Sequence, residues 1–234
     1  DSAMRVDAYL ESGEILNKVR LLAGNDSFTI RTSSSICGVR GTEFVVASDG
    51  ADSMIAVKTG RVAALAANPV LDIIADAAGD SALARASLRL ILDSAYAVSA
   101  DEELRLGKAE SAASEAALRG IAADIGLVID ASAAPRSQPG VFRFGSGESV
   151  PLLGADDAAA LEKVGAKARS GIKTPGIRAV PAQAASRELF KAFDNVGGAG
   201  SDARSVSDKP LFLALGAPKL LGRASQAIRA SETS

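Results

Sequence analysis

From Val6 to Leu65 the apolar residues recur at every second position, and past Asn68 the spacing lengthens to that of a helix. This switch constrains the fold more than any other property of the chain. Val6, Ala8 and Leu10 alternate with Asp7 and Tyr9, ahead of Ser12-Gly13, which offers a hairpin turn. Ile15, Val19 and Leu21 share a face. Phe28 and Ile30 alternate with Thr29 and Arg31; Thr42, Phe44 and Val46 alternate with Glu43 and Val45. Ile55 and Val57 alternate with Ala56 and Lys58, and Val62 to Leu65 closes the set. Short strands at roughly ten-residue spacing with Gly-containing turns predict an antiparallel all-β unit. Each strand is expected to bury one face and wet the other.

Asn68-Pro69 opens the helical stretch, with Asn as N-cap and Pro at the first helical position. Val70, Leu71, Ile73, Ile74 and Ala77 follow at helical spacing, and Gly79 ends the run. Asp80 or Ser81 caps a second helix carrying Leu83, Ala86, Leu88, Ile91 and Leu92. Residues 95–99 and 103–106 are candidates for a return to strand, and Lys108 to Ile125 reads as a third helix. Further on, Val141-Phe-Arg-Phe144 is a strand candidate, while Asp156 to Ala168 and Ser186 to Phe193 have helical spacing. The apolar stretch from Pro210 to Leu221 is broken by Gly216 and Pro218.

Seven of the eight prolines lie beyond residue 134, and the chain is acidic up to residue 125 and basic after it. Together these features predict α+β overall: a mainly β, antiparallel N-terminal unit, then helical segments, then a low-complexity, partly disordered tail. The expected divisions are 1–66, 67–125 with its returning strands, and an Ala/Gly/Pro-rich 126–234. Small residues in that tail bury too little area to offset the entropy of ordering.

The chain has no His, no Trp and one Cys. The commonest general base and the commonest metal ligand are therefore missing. A single Cys cannot build an internal disulfide or a thiolate cage. Cys37, beside a predicted strand, is expected to pack as a small buried apolar group. No cofactor and no metal are expected. A net charge of −2 argues against nucleic acid as a partner. No uncharged apolar run reaches the ~18 residues that span a bilayer. Asp1-Ser-Ala-Met4 reads as the start of a chain cut from something longer.

The most specific motif runs through Gly13, Phe28-Thr-Ile-Arg-Thr32, Val39-Arg-Gly-Thr-Glu-Phe44 and Val57-Lys-Thr-Gly-Arg-Val62. Its order and spacing resemble the FecR domain, the extracytoplasmic part of the ferric-dicitrate regulator family. Where many relatives have Pro after the motif Thr, this chain has Ser33. The resemblance covers residues 6 to 65, with an extension to 106 open, and carries over Phe28, Thr32, Val39, Arg40, Gly41, Thr42, Phe44 and Gly60. Read from the residues themselves, these are packing and turn positions. Arg40 can be either a binding cation or a brace for neighbouring carbonyls and a carboxylate; the structural role is the expectation.

The resemblance implies a non-enzymatic protein. The best-known members cross the inner membrane and control an extracytoplasmic-function sigma factor through a cytoplasmic domain. Neither that domain nor a membrane helix is present in these 234 residues. The chain is more similar to secreted or lipid-anchored members with long extensions. The expectation is a periplasmic or otherwise extracytoplasmic interaction or sensory module with a protein partner in the envelope. Anchoring through a preceding segment is an open alternative. A structural or scaffolding envelope protein is the second reading, and an enzyme built from Ser, Lys and carboxylates the third. Ser170-Gly-Ile-Lys173 matches a penicillin-recognising pattern, but Gly171 and Pro175 break the helix that pattern needs. Asp101-Glu-Glu103 and Asp156-Asp157 read as charge at helix starts. Asn25-Asp26-Ser27 reads as a turn rather than a glycosylation sequon.

Overall fold

The computed structural model describes residues 5–19, 26–39, 41–129, 142, 144, 153–196, 211–215 and 228–232. Seven strands come first: β1 (Arg5–Leu10), β2 (Gly13–Lys18), β3 (Ser27–Arg31), β4 (Ser35–Val39), β5 (Glu43–Ser48), β6 (Ser53–Thr59) and β7 (Arg61–Ala66). Helices α1 (Pro69–Ala77) and α2 (Ala82–Asp93) follow, then β8 (Tyr96–Ser99), β9 (Glu102–Leu106) and α3 (Lys108–Asp124). Beyond these lie α4 (Ala155–Gly171), β10 (Val180–Pro181), α5 (Ala184–Val196), β11 (Leu211–Leu215) and β12 (Ile228–Glu232).

The strands form two six-stranded sheets, ordered β12-β1-β3-β4-β7-β8 and β10-β9-β6-β5-β2-β11. They pack face to face over one core, in which Val6, Ile30, Val39 and Val98 of the first meet Ile15, Phe44, Ile55 and Leu104 of the second. Both returning strands are real: β8 extends the first sheet from β7, and β9 extends the second from β6. The caps also fall where the sequence puts them. Asn68 Oδ1 accepts from Val70 N–H at 2.9 Å, and Ser81 Oγ accepts from Ala84 N–H at 3.2 Å.

Three expectations need correction. Ser12-Gly13 is no hairpin turn, because β1 and β2 lie in different sheets and the pair forms an arch between them. With β2 gone to the other sheet, β1 lies parallel to β3, so the unit is not wholly antiparallel. The outer faces are also largely dry: β3 and β4 are buried along their whole length. The reason is that helices cover both outer faces. Ile36 and Leu65, pointing away from the partner sheet, pack against α1 to α4 through Val70, Ile74, Ile91, Leu118 and Val164. On the other side Leu16, Val45 and Ala56 meet Phe190 and Phe193 of α5.

Polar locks fix each layer. The Arg31 guanidinium of β3 binds Asp72 of α1 at 2.6 Å, both side chains nearly buried. The same guanidinium lies 5.0 Å from the centre of the Phe142 ring. Thr29 Oγ1 donates to the Phe142 carbonyl at 3.1 Å. Phe142 and Phe144 are outside any strand, against the expectation for 141–144; residues 141 and 143 lie outside the described residues. Their rings serve as covers instead, and Phe144 lies so close over Gly38 that a Cβ there would sit 1.9 Å from the ring. The helices expected at 156–168 and 186–193 are α4 and α5.

We propose the boundary near residue 125 as the end of the part that folds by itself, since strands β1 to β9 supply an inter-sheet core of their own. A fragment ending at Ile125 should keep a cooperative melt, but at a lower temperature than the full chain. It loses the burial of Val164 and Ile172 against Leu118 and Ile121, worth roughly 3–6 kcal/mol at ~1.5–3 kcal/mol per side chain. Calorimetry on the two chains checks this, and an unchanged midpoint would show that α4 contributes nothing.

Candidate functional site

Of the motif residues that the structure describes, all but Thr32 gather where the chain changes sheets. Short crossings occur at Gly13, Gly41, Gly60 and Asp101, and all four residues have positive φ, at 108°, 73°, 85° and 62°. A left-handed residue turns the chain sharply enough to leave one sheet and enter the other within two or three positions. Asp101 takes this conformation without being glycine, as Asp can.

The crossings at Gly41 and Gly60 are stacked on each other. A Cβ on Gly60 would lie 2.7 Å from the Gly41 carbonyl oxygen and 2.9 Å from Thr42 Oγ1. Thr42 closes the junction from both sides. Its N–H donates to the Val19 carbonyl at 2.9 Å and its carbonyl accepts from Val19 N–H at 3.0 Å, continuing the β2–β5 ladder. Its hydroxyl donates to the Arg61 carbonyl at 3.0 Å, across to the neighbouring crossing. Just inside, Phe44 is 0 % exposed and meets Phe28 of the facing sheet edge to face, ring centres 6.3 Å apart. Val39 is buried in the same core. Arg40 lies outside the described residues.

Thr32 works at the opposite end of β3. Its hydroxyl accepts from the N–H groups of Ser34 and Ser35 at 3.2 and 2.8 Å, fixing the β3–β4 turn. It also contacts Ser53 Oγ at 2.5 Å, and Ser34 Oγ reaches the same Ser53 hydroxyl at 2.6 Å. These buried hydroxyls tie a turn of the first sheet to β6 of the second. Ser33 is exposed on that turn.

The remaining chemical candidates are dispersed. Cys37 is 1 % exposed in the inter-sheet core, and burial pushes its thiol up to about 12, partly offset by the Ser35 hydroxyl. Ser170 Oγ donates back to the Ala166 carbonyl of its own helix at 3.0 Å, while Lys173 Nζ lies 5.7 Å from the centre of the Tyr96 ring. Asp156 and Asp157 occupy the first turn of α4. Asn25 lies outside the described residues, so the sequon has no structural account.

Glu103 is the residue that sequence reasoning placed least well. It belongs to the acidic run read as charge at a helix start, yet the helix it serves begins some 80 residues later. Fully buried, its carboxylate accepts from Gln183 N–H at 3.0 Å and Ser186 Oγ at 2.5 Å, at the N-terminus of α5. An anion there is favoured by the unpaired N–H groups and the helix dipole. Only the period-2 position of Glu103, on the outer face of β9, could have signalled a partner lying across the sheet.

Among the described residues no helix is long and apolar enough to cross a membrane, and no group of three or more Cys, Asp or Glu is placed to hold a metal ion. Residues 1–63 match the family model described as FecR protein. No curated protein and no solved structure matches the chain.

Two predictions follow from this geometry. Gly60→Ala combines a positive φ with two contacts under 3 Å, and should cost about 1–3 kcal/mol; Thr42→Val, which loses one hydrogen bond, should cost about 1 kcal/mol. Urea denaturation measures both, and wild-type midpoints would detach the motif from the fold. Cys37, held neutral by burial, should stay unreactive toward a thiol reagent at pH 8 and react once denaturant unfolds the chain. Labelling of the native protein would show instead that the core opens.

Proposed function

We propose that this chain, a FecR-domain protein by the match over residues 1–63, is a non-enzymatic extracytoplasmic module that acts in envelope signalling by binding another protein. The family match is the observation that carries the reading. The motif residues support it by how they are used: Phe28, Phe44 and Val39 fill the core, and Gly41, Thr42 and Gly60 build the crossings. Binding then falls to exposed faces and to backbone edges, where an extended partner segment adds as a further strand. The helices α4 and α5 fold back onto α2, α3 and the second sheet, which supports a compact binding module over a spacer.

In this reading all eight motif positions, Arg40 included, serve the fold. Arg40→Ala should lower stability by ~1–3 kcal/mol, the cost of a lost charged donor, while the folded variant keeps its partner. The test is in-cell crosslinking of the full chain, followed by fractionation. The expected result is one recurring envelope protein, captured equally by wild type, Arg40→Ala, Ser170→Ala and Lys173→Ala. Arg40→Ala with unchanged stability and lost capture would make Arg40 a contact residue. Recovery of the chain and its crosslinks only in the cytoplasm would overturn the reading.

A further inference from the structure

Two strands from late in the chain seal one side of the sandwich. β11 pairs antiparallel with β2, Leu211 opposite Lys18 and Leu215 opposite Glu14. β12 pairs antiparallel with β1, Ile228 opposite Leu10 and Glu232 opposite Val6. Since β1 and β2 are consecutive and joined by the arch at Glu11 to Gly13, the two covered edges lie side by side, one in each sheet. β11 runs toward that arch and β12 runs away from it, so the pair clasps it from outside.

The covered edges, β1 and β2, lie inside the family match over residues 1–63, and their covers, β11 and β12, lie well outside it. Strands β1 to β9 hold a core of their own between the sheets. Without their covers, β1 and β2 would present two adjacent rows of free N–H and C=O groups, a template for any extended chain. The covering strands are tethered through residues 197–210, which include Gly197, Gly198 and Gly200. A tethered strand reaches an effective concentration on the order of mM. A free segment at micromolar concentration is therefore held off until the resident strands are weakened or outbid.

We propose that the β1–β2 side is a strand-acceptor site for an extended polypeptide segment of a partner protein, with β11 and β12 as its resident, competing occupants. This deepens the binding role proposed above by naming the surface and its control. Main-chain hydrogen bonds supply the attachment, so the ligand is defined first by its extended backbone and only then by alternate side chains.

The test uses the full chain and a synthetic peptide of residues 209–234. Ala214→Pro with Ala230→Pro puts a residue with a fixed φ and no N–H inside each covering strand. Hydrogen exchange of amides in residues 6–10 and 14–18 should rise at least about tenfold, as expected when ladder bonds are lost. The double variant should take up the peptide at least about tenfold more tightly than wild type. A second variant serves if the prolines perturb more than the strands. Tyr9→Cys with Arg229→Cys places two thiols on directly opposed residues, a separation a disulfide can bridge, and buried Cys37 does not compete. Oxidation should link them within one chain and abolish peptide uptake, and reduction should restore it. Unchanged exchange in β1 and β2, failure of the disulfide to form, or faster exchange without peptide capture would each overturn the proposal. The peptide result is independent of the in-cell crosslinks of the wild-type chain, so either reading can fail alone.

Discussion

The sandwich depends on the stacking of two chain reversals, Gly41-Thr42 against Gly60-Arg61. Between Leu10 and Glu102 the chain changes sheets five times, and four of those changes are made within a few residues. At this junction the abruptness comes from two glycines with positive φ, and the positioning from one hydroxyl and one ladder extension. A side chain on Gly60 would push the two crossings apart. Phe28 and Phe44, which meet from opposite sheets just inside, would then lose their contact. The motif is thus one mechanical unit, whose glycines set the bend and whose aromatics set the sheet separation.

A sandwich with two apolar outer faces cannot stand in water, and the helices answer that need asymmetrically. The first sheet is covered by four helices and two phenylalanine rings, with Arg31 and Asp72 as the polar lock at their base. Burying an ion pair is costly, and this one gains from its short contact and from the aromatic ring over the cation. Among the described residues the helix on the second sheet is α5, held by a carboxylate at its N-terminus. In both cases a charge supplied by a strand fixes a helix that comes much later in the chain.

Local structure was legible wherever it followed from local chemistry. The alternation around Phe28, Phe44 and Ile55 gave the strands, the Asn68-Pro69 pair gave the first cap, and Leu104 and Leu106 gave the returning β9. What could not be read was the partner of each element. Ser12-Gly13 supports a hairpin or an arch equally well, since the turn residues are the same and only the far ends of the strands decide. The outer faces carry much alanine, at Ala47, Ala56 and Ala63, whose weak apolar signal says little about burial. Phe142, Glu103 and the strands that cover β1 and β2 all act across 80 residues or more, beyond any periodicity. Of the motif, the residue types were legible as turn and core formers, but the meeting of Gly41, Thr42 and Gly60 at one junction was not.

The pairing of Val6 with Glu232 also has a consequence for the order of events during synthesis. β1 finds β3 within some twenty residues, but its second neighbour emerges from the ribosome more than two hundred residues later. Once β9 has joined, the first two strands have a core behind them and, until the late strands are made, a vacant flank beside them. Contacts of such long range close slowly, because loop entropy is lost before the pairing rewards it. The nascent chain is thus adhesive along β1 and β2, and becomes less so only when β11 and β12 arrive.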